Sequence, residues 1–325
     1  MSTTWKAALA ALLLWAGNAL ALPYSNLVVF GDSLADSGNN ALIADTYIGG
    51  ARSDGQAVGA GVPDLPYGSN RYSNGPVWTE YFAQSLGMNL SPSLIGGNNY
   101  AYGGARVAGL GPVPTLQAQM GQYLVSTSNI ANANTLYVIE GGGNDARDVL
   151  DLIVAGQNPA ARISAYVQGV VSMIGNLAER GAEHFLVWNI TDLGLVPAVT
   201  AQGSAAVLGA SQVVAAMNQA LASALDAYLP DSVTDGLVLF DAYAGLQDIV
   251  ANPAAYNLVN GSDACAADAQ CVANQYFFWD GIHPTTAGHE VMARLAVAAV
   301  VPEPTSLALV GLALLGLVCS RRRIV

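Results

Sequence analysis

The stretch that decides the fold is residues 28–40, Val-Val-Phe-Gly-Asp-Ser-Leu-Ala-Asp-Ser-Gly-Asn-Asn. The apolar, β-branched and aromatic run from 27 to 30 predicts a short buried strand, and the Gly-Asp-Ser after it predicts a turn. Ligands bind at the carboxyl ends of strands in open α/β sheets. Ser33 is therefore a candidate nucleophile, although Gly, Asp and Ser are also ordinary turn residues. As a nucleophile it needs a base, an orienting acid and oxyanion donors elsewhere in the chain.

Strands and helices are predicted to alternate along the rest of the chain. Three further strands are predicted at residues 136–139, 184–188 and 237–240, residues 98–102 can form another, and residues 41–72 read as a long loop. Helices are predicted at residues 78–86, 116–126, 159–180, 202–229 and 285–300. Such alternation implies an α/β fold in which helices cover both faces of a parallel sheet, a three-layer α/β/α sandwich.

A candidate base lies near the end of the chain, in the sequence Asp280-Gly281-Ile282-His283. An Asp three residues before a His can place its carboxylate against the imidazole, where it selects the tautomer and stabilises the imidazolium. The chain has two other histidines, His184 at the start of a strand and His289 inside the last helix. Neither has an Asp at that spacing, so His283 is the favoured base.

Four stretches resemble the sequence blocks of the GDSL family of the SGNH hydrolase superfamily, esterases and lipases with a flavodoxin-like sheet. They are residues 30–34 (Phe-Gly-Asp-Ser-Leu), 99–105 (Asn-Tyr-Ala-Tyr-Gly-Gly-Ala), 142–145 (Gly-Gly-Asn-Asp) and 280–283 (Asp-Gly-Ile-His). The resemblance implies a catalytic triad, with Ser33 as nucleophile, His283 as base and Asp280 as its partner. It also implies an oxyanion hole built from the N–H groups of Ser33 and Gly104 and the side chain of Asn144, with Gly103 open as the alternative to Gly104.

The function that the resemblance implies is hydrolysis of carboxylic esters through an acyl-enzyme intermediate, on a small-molecule or lipid ester, with no cofactor or metal. A lipid acyltransferase or phospholipase would use the same residues. A non-catalytic surface or matrix protein of the same fold is another alternative, but it has no need for Ser, Gly, Asn, Asp and His together. A metallophosphoesterase needs clustered ligands, which three scattered histidines do not supply.

The substrate is open. Five tyrosines can line an acyl cleft or simply pack in the core and loops; they are Tyr47, Tyr67, Tyr72, Tyr100 and Tyr102.

The two ends of the chain carry targeting patterns. Residues 1–21 have one Lys, an apolar run and a final Ala-Leu-Ala, which predicts a signal peptide and an exported protein. Residues 301–325 contain Pro-Glu-Pro, a 13-residue apolar run and three arginines. This tail resembles the PEP-CTERM sorting signal of Gram-negative bacteria, which implies transient anchoring in the inner membrane and processing by an exosortase. The run is about 20 Å long as a helix, short for a permanent span, although a plain anchor is the alternative. Residues 22–300 then form the hydrolase domain.

The charge and the cysteines of the chain indicate which partners and which compartment to expect. With Lys6, Glu303 and Arg321 to Arg323 set aside, seven arginines and 22 acidic residues remain. A body with a formal charge of about −15 repels phosphate backbones, so nucleic acid is not expected as a partner. Cys265 and Cys271 lie six residues apart in a polar segment, which predicts a local disulfide in an oxidising compartment.

Overall fold

The computed structural model describes residues 22–48 and 65–301. Residues 24–297 form one compact unit. The predicted signal peptide and nearly all of the predicted sorting tail lie outside the described residues. The strands are β1 Asn26–Phe30, β2 Thr135–Ile139, β3 His184–Trp188, β4 Leu237–Phe240, β5 Asn260–Ala264 and β6 Tyr276–Phe278. The helices are α1 Asn39–Ile48, α2 Trp78–Ser85, α3 Leu116–Ser126, α4 Gly143–Val154, α5 Ala160–Ala178, α6 Pro197–Thr200, α7 Ser204–Tyr228, α8 Asp231–Thr234, α9 Ala242–Ala251 and α10 Thr286–Val300.

The main sheet has the order β1-β2-β3-β4, and all of its strands are parallel. The chain beside β1 carries Asn99, which bridges Val29 in parallel. Tyr100 N and Tyr102 N donate to the carbonyls of Val29 and Gly31 at 2.8 and 3.2 Å. The predicted strand at residues 98–102 is an irregular edge segment, because Asn99 Nδ2 donates to Ala35 O and Ser37 Oγ in the turn after β1, at 2.7 and 2.9 Å.

Helices cover both faces of the sheet. Phe30 and Tyr137 point to one face, where the ring of Tyr123 in α3 packs against both of them at 5.9 and 5.7 Å. Successive side chains along a strand point to opposite faces of the sheet. Trp188 of β3 points to the face opposite to that of Phe30 and Tyr137. There it packs on Trp78 of α2, with ring centroids 4.1 Å apart. The structure is thus the expected three-layer α/β/α sandwich.

The prediction of a single long loop at residues 41–72 is wrong at its start, where α1 forms. The cause is a side-chain cap that the sequence pattern hides. Asp36 Oδ1 accepts hydrogen bonds from the N–H groups of Gly38 and Asn39 at 2.8 and 2.7 Å, and Oδ2 accepts from Asn40 at 3.2 Å. These contacts satisfy N–H groups at the start of α1 that otherwise have no partner.

A second, two-stranded sheet pairs β5 with β6. Cys265, at the end of β5, forms a disulfide with Cys271, with Cα atoms 5.4 Å apart. Ala266 N in the disulfide loop donates to the carbonyl of Trp279 at 2.8 Å. The disulfide loop is therefore attached directly to the segment that enters Asp280.

Candidate active site

Ser33 lies in a tight turn immediately beyond β1. Asp32 O accepts hydrogen bonds from the N–H groups of Ala35 and Asp36 at 3.2 and 3.0 Å, so the chain makes one helical turn there. The serine is 8% exposed and lines a pocket. The turn thus presents Ser33 at the carboxyl edge of the sheet.

His283 and Asp280 meet Ser33 in a continuous line of contacts. His283 Nε2 lies 2.8 Å from Ser33 Oγ, and His283 Nδ1 lies 2.7 Å from Asp280 Oδ2. Asp280 Oδ1 accepts from the N–H groups of Ile282 and His283, both at 2.8 Å. Asp280 is fully buried and His283 is 1% exposed. In this arrangement Nδ1 carries a proton for the carboxylate and Nε2 can take one from the serine hydroxyl.

Two tyrosines complete the surroundings of this pair. The Tyr67 hydroxyl donates to Asp280 Oδ2 at 3.1 Å. The Tyr72 ring lies 5.2 Å from the His283 ring and also lines the pocket. No local pattern indicates the role of Tyr67, because it is 213 positions away from Asp280. Tyr67, Tyr100 and Tyr102 are buried and pack in the interior, and the side chain of Tyr47 is outside the described parts.

The structure favours Gly104 over Gly103 as an oxyanion donor. Gly103 N donates to Asp36 Oδ2 at 3.0 Å, so that N–H is already used. Gly104 has φ +83°, and the space where a Cβ would lie is open. Within the described residues, no acceptor faces the N–H of Gly104 or of Ser33. Both of these N–H donors belong to residues that line the same pocket.

Asn144 lies in the first turn of α4 and lines that pocket too. Its Nδ2 donates to Ala105 O at 3.0 Å, and it is 3.4 Å from Asp32 Oδ2. The second contact is too long for a strong hydrogen bond. The Ala105 contact keeps the side chain in place, and the other amide N–H is only weakly held and is available to a substrate oxygen.

Two charged residues hold the Gly104 loop. Besides capping α1, the buried Asp36 ties down Gly103, as described above. Arg106 Nη1 donates to Gly104 O at 3.1 Å, and its other nitrogens reach Asp148 at 2.9 and 2.7 Å. Sequence reasoning missed both roles, since a cap and an ion pair look like ordinary surface features until the elements are packed together.

Buried titratable groups lie beneath the turn. Asp32 is 3% and Glu140 is 4% exposed. Burial raises the pKa of Asp32 to about 6, and burial together with the charge of Asp32 raises the pKa of Glu140 well above its usual value. His289 is fully buried and neither ring nitrogen has a partner within the described chain. Burial, and secondarily the charge of His283, lowers its pKa to about 3, so it is a neutral core residue.

The pocket above Ser33 has a volume of about 470 Å³ and is open to solvent. The pocket is lined by Gly104 and Asn144, the two predicted oxyanion donors that are not members of the triad. Arg106, Arg147, Asp148 and Ile282 line it too. In residues 22–48 and 65–301, no group of three His, Cys, Asp or Glu side chains is arranged to hold a metal ion. The arrangement suits acyl transfer, because a nucleophile, a base and unpaired N–H donors converge on one cavity.

Comparison with known proteins agrees with this chemistry. Residues 27–296 match the model of the GDSL-like lipase/acylhydrolase family. A GDSL esterase/lipase of Arabidopsis thaliana is 28% identical over 313 residues, 83% of this chain and 87% of that protein. Lipase 1 of Photorhabdus luminescens is 34% identical over 180 residues, 54% of this chain and 24% of that protein.

A solved structure and the tail add two further findings. An acetylxylan esterase from Geobacillus stearothermophilus aligns with a TM-score of 0.47 and 15% identity, covering 88% of this chain and 98% of that one. Residues 300–323 match the PEP-CTERM protein-sorting motif, which indicates export and sorting to the cell envelope. Because the lipase/acylhydrolase model covers most of the sequence, the chain belongs to the GDSL lipase/acylhydrolase family and is a hydrolase that acts on ester bonds.

Proposed function

We propose that this protein is an exported serine esterase/lipase that hydrolyses carboxylic esters through a Ser33-His283-Asp280 triad and an acyl-enzyme. The observation that carries the proposal is the pair of short contacts, 2.8 Å from Ser33 Oγ to His283 Nε2 and 2.7 Å from His283 Nδ1 to Asp280 Oδ2. They lie beneath an open pocket, where an ester can reach the serine.

Acylation begins when Ser33 Oγ attacks the ester carbonyl carbon and its proton passes to His283 Nε2. The carbonyl oxygen becomes an oxyanion, which the N–H groups of Ser33 and Gly104 and the amide of Asn144 stabilise. Asp280 stabilises the imidazolium that forms. When the tetrahedral intermediate collapses, the C–O bond to the alcohol breaks and the alcohol leaves with the proton from His283.

Deacylation repeats these steps with water. His283 Nε2 takes a proton from a water molecule that attacks the acyl carbon, and the oxyanion forms in the same hole. The bond to Ser33 Oγ then breaks, the serine recovers its proton from His283, and the carboxylic acid leaves.

Covalent labelling tests the mechanism. A p-nitrophenyl alkylphosphonate should phosphonylate Ser33, located by peptide mass spectrometry, and Ser33→Ala should lose labelling and ester turnover together. Ser85→Ala, at the exposed end of α2, is the matched control and should keep both. Labelling at another serine, or a fully active Ser33→Ala, would disprove the mechanism.

We also propose how the chain is processed. Residues 1–21 are removed as a signal peptide, residues 22–300 form the enzyme, and an exosortase-type protease cuts the tail near Pro302-Glu303-Pro304 after brief contact with the inner membrane. Support comes from the sorting-motif match at residues 300–323 and from the arginines after a short apolar run, which favour the cytoplasmic side. Intact mass of the exported protein should lack both ends. Active membrane-bound protein that retains Arg321 to Arg323 would instead indicate a permanent anchor.

A further inference from the structure

A second, larger cavity adjoins the catalytic pocket. It has a volume of about 730 Å³ and lies between α4, α7 and the chain from Leu193 to Gln202. We call it the α4/α7 groove. Its polar lining residues are Arg147, Asp151, Gln202 and Gln212, and the remainder are aliphatic or glycine. Ile153 and Val154 of α4 are 45% and 89% exposed along it. An apolar cavity of this size is in the range that encloses small ligands.

The groove and the catalytic pocket are continuous. Arg147, Asp151 and Ile282 line both of them. Ile282 directly precedes His283, and its N–H is held by Asp280 Oδ1 at 2.8 Å. The groove therefore opens next to the reacting atoms, and the backbone of the residue at its entrance is held by Asp280 of the triad.

Helix α4 leads from one cavity into the other. Asn144, Arg147, Asp151 and Val154 recur at intervals of three and four residues, which places them on one face of the helix. The first lines the catalytic pocket, the next two line both cavities and the last lines the groove. At 1.5 Å per residue this face is about 15 Å long from Asn144 to Val154. A chain attached to a carbonyl in the oxyanion hole can follow it without turning.

The opposite wall is a face of α7 with small side chains. It includes Ala206, Gly209, Val213 and Ala216. The larger residues of α7, such as Val214, Met217 and Leu221, are buried and do not line the groove. A Cβ built at Gly209 would meet nothing within 4 Å. The small residues of α7 thus leave a slot in this wall of the groove. At the middle of the slot the space is open because residue 209 is glycine.

We propose that the α4/α7 groove binds the acyl chain of the ester, and that the enzyme therefore prefers unbranched acyl chains of about eight to twelve carbons over acetate. This inference rests on the proposed function, because it assigns the acyl side of the same reaction. Each methylene fully removed from water strengthens binding about fourfold. The aliphatic walls supply that gain only to a chain long enough to pass Ile282.

The test is a series of p-nitrophenyl esters from acetate to palmitate. For the unmodified enzyme, kcat/KM should rise by about tenfold or more from butyrate to decanoate. Gly209→Trp should fill the slot and lower the decanoate-to-acetate ratio of kcat/KM by about tenfold. Gly175→Trp in α5 is the matched control: it is also helical and has an open Cβ position, but it lines neither cavity.

A second readout does not depend on product release. The rate of Ser33 labelling should be higher with a decylphosphonate than with a methylphosphonate, and Gly209→Trp should remove that difference. A flat chain-length profile that Gly209→Trp leaves unchanged would overturn the groove assignment and leave the triad intact. So would a flat profile accompanied by a dimer that Gly209→Trp dissociates, since a second copy would then cover the groove. Absence of both turnover and Ser33 labelling would overturn the proposed function and this inference with it.

Discussion

The hydroxyl of Tyr67 donates a hydrogen bond to Asp280 Oδ2 over 3.1 Å, to the same oxygen that faces His283 Nδ1. Asp280 is fully buried, so each donor to its carboxylate replaces hydration that the side chain has lost. A hydrogen bond to a buried charge contributes about 1.5–3 kcal/mol. Tyr67 therefore acts on the reaction through Asp280, as a positioning residue.

Tyr67→Phe should lower kcat about tenfold and change KM little, because the loss affects stabilisation of the imidazolium more than substrate binding. Steady-state kinetics on a short-chain ester measures this split. Tyr256→Phe is the control, since Tyr256 also donates to a carboxylate, that of Asp248, but at the exposed surface. Equal effects of the two substitutions would contradict the positioning role.

Asn144→Ala should lower kcat by about 10²–10³ with little change in KM, as expected for loss of one oxyanion donor. Asn176→Ala on α5, whose amide bonds to Ser172 O and Arg180, should leave kinetics unchanged. The same assay with thermal melting separates catalysis from folding. An Asn144→Ala enzyme with normal kcat would remove the side chain from the oxyanion hole.

His289→Leu should leave activity nearly unchanged, whereas His283→Ala should lose several decades. The lowered pKa of His289, about 3, means that the folded state disfavours its protonation. Above pH ~6.5 the His289 ring is neutral in both the folded and the unfolded state, so its protonation costs no stability. As pH falls from there towards 3, the unfolded state takes up a proton that the folded state disfavours, and the free energy of unfolding decreases. Leu cannot be protonated, so the His289→Leu variant does not suffer this decrease. Its free energy of unfolding relative to the unmodified protein, measured by chemical denaturation, should therefore grow from pH 7 to pH 4. An advantage that does not depend on pH would contradict the assignment.

Glu140→Gln should stabilise the protein at pH 8. The raised pKa values of Glu140 and Asp32 mean that the folded state favours the protonated acids. Ionisation therefore costs stability as pH rises from ~4 through the folded pKa. The Glu140→Gln substitution removes one of the two charges and should raise the melting temperature relative to the unmodified protein. This increase should vanish below pH ~4, where the acids are protonated in both states. The exposed Glu183→Gln is the control, and a gain that persists in acid would refute the account.

Reduction of the disulfide should lower activity before it lowers the melting temperature. The Cys265–Cys271 loop is short, so its closure contributes ~2–3 kcal/mol, a modest share of global stability. Its loop is bonded to Trp279 O, directly before Asp280. Activity and melting followed across a dithiothreitol series test this order. Loss of both at the same concentration would indicate a global role instead.

Sequence alone determined the local parts of this protein. The strand before Ser33, the Asp280-Gly281-Ile282-His283 turn and the Gly142–Asp145 turn each depend on neighbouring residues, since periodicity and turn chemistry act over a few positions. The Ser33 turn and the Gly142–Asp145 turn follow β1 and β2, which pair in parallel, so both lie at one edge of the main sheet. The triad as a whole was implied by the family resemblance and stays a prediction. The start of α1 was missed because a single capping side chain, Asp36, outweighs the loop-like composition around it.

Tertiary structure decided everything that depends on distant residues meeting. Gly103 and Gly104 look equivalent in sequence, but in the fold the Asp36 carboxylate occupies the Gly103 N–H and leaves that of Gly104. Tyr67 gained its role from a contact across 213 positions. The tyrosines that sequence offered for an acyl cleft are mostly core residues, while the apolar groove lies between α4 and α7. The physical reason is that burial and cavities are properties of packed surfaces, and no local pattern states which two surfaces will face each other.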